Sequence, residues 1–82
     1  MNNKMQREAE ILKESRIKLG MSQMDVAMNA GILLQQYQKF EYGDRQLSNS
    51  SMILGLRICA VLEIDPYKLV FENSTGWIEK VQ

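Results

Sequence analysis

Apolar side chains recur along this chain at the spacing of helix faces, and glycine or short polar stretches interrupt them. Residues 4 to about 19 predict a first helix of good helix formers, with Ile11, Leu12 and Leu19 facing inwards and Gly20 ending it. Met21 follows as a core anchor, and Ser22 is the N-cap expected for a second helix. Val26 and Ala27 give that helix its inner side, Asn29-Ala30-Gly31 stops it, and Ile32 anchors the turn. A third helix is expected from about Leu33. Leu33, Tyr37 and Phe40 fall at i, i+4, i+7 on its inner face, and Gln35, Gln38, Lys39 and Tyr42 share the opposite, polar face.

Tyr42-Gly43-Asp44-Arg45 reads as a turn, and Gln46 to Ser51 as a polar connection. A fourth helix is expected from Asn49 or Ser50 to Leu62. Only Arg57 is charged between Met52 and Leu62, so this helix should be central, with Gly55 marking a close helix crossing and Cys59 buried as a small hydrophobe. Asp65 and Pro66 open a fifth helix as N-cap and first helical residue, with Leu69, Val70 and Phe71 on its apolar face. Asn73-Ser74-Thr75-Gly76 breaks the pattern. The tail Trp77-Ile78-Glu79-Lys80-Val81 is expected to fold over the core or pack on another subunit.

These elements predict a compact all-α, five-helix domain over residues 1–71, with residues 72–82 as a C-terminal tail. Within it, residues 23–42 form two short helices hinged at Gly31, the second presenting a polar face: a helix-turn-helix. One long-range contact is predicted from spacing alone. Arg16 lies between Leu12 and Leu19 on an inward stripe, and Glu41 lies one turn after Tyr37 on the inner side of the third helix. Two inward charges are tolerable only if they meet and satisfy each other, so an Arg16–Glu41 ion pair is expected.

The block from Leu12 to Leu69 resembles the Cro/C1-type (XRE-like) helix-turn-helix family of bacterial and phage repressors. Arg16, Ser22, Gln23, Ala27, Gly31, Ile32, Gln36, Glu41, Gly43, Leu62 and Leu69 carry the resemblance. It implies a lambda-repressor-like fold and the same Arg16–Glu41 pair. It also implies base contacts from the positions held here by Leu34, Gln35 and Lys39, and phosphate contact from Gln23, with Gln36 in support. Two features depart from the family: a longer connection after the third helix, and Leu33 at a cap position where Ser or Thr is common.

The side chains fit such contacts. Gln35 can bond the N6 and N7 groups of adenine, Lys39 can donate to guanine O6 or N7, and Leu34 can touch a thymine methyl, with Gln38 on the same face. Tyr42 and Arg45 stand ready for phosphate just beyond the helix. Against this, Gln and Lys are ordinary helix formers, and an exposed Gln-rich face also occurs on helices that bind nothing.

Composition adds constraints. The 82 residues suit one small domain, and ten basic and ten acidic side chains cancel, where a nucleic-acid-binding domain usually shows a basic excess. A cytoplasmic protein is expected: no apolar run approaches the ~20 residues that span a bilayer, the first residues lack an apolar signal region, and the single cysteine suits a reducing compartment. With no histidine, no second cysteine and no Gly-rich phosphate loop, neither an enzyme nor any cofactor or metal is expected. Glu8, Glu10 and Glu14 read as a solvated helix face. The expected function is sequence-specific binding of double-stranded DNA by a homodimeric transcriptional regulator, expected to act as a repressor. The alternative is a protein-interaction module on the same scaffold, such as the antitoxin of a toxin–antitoxin pair, which neutrality and Leu33 favour.

Overall fold

The structure, a computed structural model, describes residues 3–72. Helices α1 (Asn3–Lys18), α2 (Gln23–Ala30), α3 (Leu34–Glu41) and α4 (Met52–Leu62) follow in order, with a 3-10 turn at Leu47–Asn49 and a π-wound turn at Lys68–Glu72. No strand occurs among the described residues, so the fold is all-α. Both α1 and α2 pack on α3 and on α4. Leu12, Val26, Tyr37, Phe40, Ile58 and Leu69 thereby meet in one core. No helix among the described residues is long and apolar enough to cross a membrane. The expected Trp77–Val81 contact lies outside the described residues.

Local chemistry sets the helix boundaries. Ser22 caps α2 as expected, its Oγ accepting from the Asp25 amide at 3.0 Å, while Asp25 Oδ2 accepts from the Ser22 amide at 2.9 Å. This reciprocal box holds two amides that the helix start leaves unpaired, and the bond from the Ser22 amide, then its hydroxyl, keeps the Asp25 carboxyl below its usual range. At the other end Gly31 turns left-handed at φ 72°. The Ile32 amide then reaches Ala27 O at 3.0 Å and the Gly31 amide reaches Met28 O at 3.2 Å, a Schellman closure.

The same closure ends α4, but there the left-handed residue is Glu63, at φ 57°. A side chain in this conformation crowds its own carbonyl, which glycine avoids. Glu63→Gly is therefore expected to raise the unfolding free energy by about 1 kcal/mol, read from urea denaturation. An unchanged or lower midpoint would show that this position stores no strain.

Several expectations are corrected. The inward stripe of α1 is Glu8, Ala9, Leu12 and Arg16, with Ile11 half-buried against the core as expected, whereas the helix ends at Lys18 and Leu19 turns outward to exposure. Glu8 is not on a solvated face: it is 1% exposed, and its Oε1 accepts from the Ser48 amide at 3.2 Å. The connection expected to be polar drops Leu47 into the core, and α4 starts later than expected, at Met52, with Ser51 as cap. Gly55 marks no helix crossing. A Cβ there would make ordinary contacts with Ser50 Oγ at 3.6 Å and Leu47 O at 3.8 Å, both in the preceding turn. Nor is α4 enclosed. Ile58, Cys59 and Leu62 are buried, whereas Met52, Ile53 and Leu56 are exposed. Cys59 is buried as expected, and burial first, then Glu8 and Asp65, push its thiol up to about 11.

The fifth helix is short and π-wound instead of regular. Its start is as expected, with Asp65 Oδ1 accepting from the Tyr67 amide at 2.9 Å and Leu69 buried. An open apolar groove of about 570 Å³ runs between this segment and α4, lined by Met52, Leu56, Pro66, Tyr67 and Val70 among others.

Candidate nucleic-acid interface

The Arg16–Glu41 pair forms as expected and organises the helix-turn-helix. Arg16 Nε donates to Glu41 Oε2 and Nη2 to Oε1, both at 2.8 Å, a bidentate fork. The remaining Nη1 donates to Met21 O at 3.0 Å, fastening the α1–α2 turn to the same guanidinium. Glu41 also accepts from the Tyr37 hydroxyl, one turn earlier on α3, and from Gln23 Nε2 at 3.0 Å. One carboxylate thus ties together α1, the start of α2 and the end of α3.

The two side chains are 14% and 2% exposed, so the pair is largely withdrawn from water. Burial alone would push the Glu41 carboxyl up; donation from Arg16, Tyr37 and Gln23 outweighs it and leaves the group below the usual carboxylate range. The bond to Glu41, working against burial, raises Arg16. Burial, then the bond to Glu41, holds the Tyr37 hydroxyl well above its ordinary value. Glu41 is therefore an acceptor with no proton of its own at neutral pH.

From Glu41 a chain of amides leads outward. Gln23 Oε1 accepts from Gln38 Nε2 at 3.0 Å and, at 3.4 Å, from the Tyr42 hydroxyl. The sequence placed Gln38 on the exposed face of α3 with Gln35, but the structure holds it half-buried against Gln23. Gln35 and Lys39 are exposed, Leu34 is half-buried beside them, and Arg45 is exposed beyond the helix. Gln36 turns its Oε1 back to the Leu33 amide at 3.1 Å. That bond supplies part of the cap that leucine cannot make, and it leaves the Gln36 amide donors facing outward. Leu33 itself is 67% exposed, so it does not join Tyr37 and Phe40 on the inner face.

The structure accordingly brings Gln23, Gln38, Tyr42, Glu41 and Arg16 into one network. Gln35 and Lys39 stand free beside it, while Gln36 and Arg45 sit at its margins. Sequence spacing could have found the Tyr37–Glu41 bond, since the two lie four residues apart on one helix. Nothing in the sequence signalled the Gln23–Gln38 bond, which depends on how two helices cross. Comparison with family models, curated proteins and solved structures returned no match.

Proposed function

We propose that this domain binds double-stranded DNA sequence-specifically as a cytoplasmic, non-catalytic transcriptional regulator of Cro/C1 type, reading the major groove with α3. The observation that carries the reading is the pairing of a rigid frame with an uncommitted face. Arg16, Glu41 and Gln23 hold α2 and α3 in one geometry, while Gln35 and Lys39 point into solvent from the first two turns of α3. Buried ionic networks are costly to keep, and a fixed angle between two short helices is what groove recognition requires. The outward donors of Gln36 and the exposed Arg45 suit phosphate, which only accepts. The test is selection of sites from random duplex DNA, with Gln35→Ala/Lys39→Ala as the comparison.

Two recognition helices about 34 Å apart would read a two-fold symmetric site, which calls for a homodimer. The exposed Met52, Ile53, Leu56 and Tyr67 beside the apolar groove form the surface we assign to that contact. Leu56→Lys is expected to convert a dimer to a monomer by light scattering; an unchanged mass would remove this surface from consideration. A second reading, a protein-interaction module such as an antitoxin, is favoured by one observation. Met28 and Leu33, both largely exposed, put apolar surface at the end of α2 and the start of α3. Under that reading no DNA sequence is selected, and Leu33→Ala weakens a protein complex instead.

A further inference from the structure

We infer that Gln38 is a base-reading residue whose amide is locked in one orientation by Gln23, and that this orientation selects adenine over guanine. The inference rests on the DNA-binding reading above and deepens it. A glutamine amide can normally rotate to present either its oxygen or its nitrogen, and so tolerates different partners. Here the rotation is blocked from the interior outwards. Glu41 only accepts, so Gln23 can meet it only through Nε2, at 3.0 Å. Its Oε1 then necessarily faces the other way. Gln38 can meet that oxygen only through its own Nε2, also at 3.0 Å.

Two groups of Gln38 are left over: its Oε1, an acceptor, and the second N–H of its amide. The major-groove edge of adenine offers the matching pair, the N6 amino donor and the N7 acceptor. Guanine offers two acceptors, O6 and N7, so its O6 would face the Gln38 oxygen. Turning the Gln38 amide over to suit guanine would set its oxygen against Gln23 Oε1. Gln23 cannot turn in response, because its own oxygen would then face Glu41. Gln35 has no such anchor and can present either end. Discrimination at the Gln38 position is therefore expected to depend on Gln23, a residue that need not touch the base, and discrimination at the Gln35 position is not.

The experiment is site selection from random duplex DNA by the full chain, comparing wild type with Gln38→Ala, Gln38→Glu and Gln23→Ala. Wild type is expected to select a symmetric site with adenine at one position of each half-site, preferred over guanine by about tenfold. Gln38→Ala should flatten that position alone. Gln38→Glu, which keeps the side chain's bulk but has no donor, should move the preference to cytosine, whose N4 amino group donates. Gln23→Ala should keep the rest of the site yet bring the adenine-to-guanine ratio close to one. A merely structural role for Gln23 would instead weaken binding to all sites without altering that ratio. If the wild-type site is unaltered by Gln38→Ala, or its adenine preference survives Gln23→Ala, the inference fails and the DNA-binding reading stands. If wild type selects no sequence, both fall together.

Discussion

Arg16→Ala and Glu41→Ala are each expected to lower the unfolding free energy by about 3–5 kcal/mol, measured by urea denaturation at neutral pH. Each removes one half of a bidentate pair and leaves the other withdrawn from water. Glu41→Ala also orphans the Tyr37 hydroxyl and Gln23 Nε2, while Arg16→Ala releases the α1–α2 turn from Nη1. Small domains have total stabilities of roughly 5–15 kcal/mol, so either variant approaches loss of the fold. The double variant should cost clearly less than the two singles added, because the second substitution removes a charge already left alone. Additive losses would show that the pair contributes no coupling.

The same pair sets the acid limit. The Glu41 carboxyl lies below its ordinary value in the folded state, so the unfolded chain takes up its proton first as the pH falls. Its stabilising contribution is complete above the unfolded-state pKa of about 4.3 and is lost as pH drops through the lower folded value. Wild type should lose stability across that acid window, whereas the Arg16→Ala/Glu41→Ala double variant should show a flatter acid limb. Parallel limbs would assign the acid lability to carboxylates other than Glu41.

How far the sequence could be read depended on whether a residue's partner was local. Ser22, Gly31 and Asp65 act on their own neighbours, and each does what its residue type predicts. The Arg16–Glu41 pair was legible at long range because two inward charges have few other solutions. Glu8 was not. It looks like Glu10 and Glu14, and the amide that donates to it in the core belongs to Ser48, 40 positions on in a connection with no helical period. Leu47 was hidden by its polar neighbours for the same reason. In α4, composition suggested full burial, but the two helices packed on it, α1 and α2, cannot cover every side of it. On α3 the periodicity correctly separated Tyr37 and Phe40 from Gln35 and Lys39. It could not show that Gln38 is drawn to Gln23 while Gln35 is left free, because that distinction arises from the crossing of α2 and α3.

Gln35→Ala/Lys39→Ala is expected to lower affinity for the selected site by about 100-fold or more while leaving the unfolding midpoint almost unchanged. The two effects separate because both side chains are exposed and outside the Arg16–Glu41 network, and surface substitutions of this kind rarely shift stability by more than about 0.5 kcal/mol. Each well-made contact to a base edge discriminates by about 1–3 kcal/mol, so two lost contacts multiply. Lys39 also carries charge, and its removal should reduce the slope of log affinity against log salt by close to one phosphate if it lies on the backbone, or leave it nearly unchanged if it reads a base. The salt series thus assigns Lys39 to bases or to phosphates from one set of titrations. For a chain with no net charge this matters more than usual, because non-specific attraction is weak and base contacts must supply most of the preference. Equal binding by wild type and double variant, at every salt concentration and to every sequence, would remove Gln35 and Lys39 from the reading face and leave Gln38 as its remaining candidate. Absence of any sequence preference in both would move attention to Leu33 and Met28 as a surface for a protein partner.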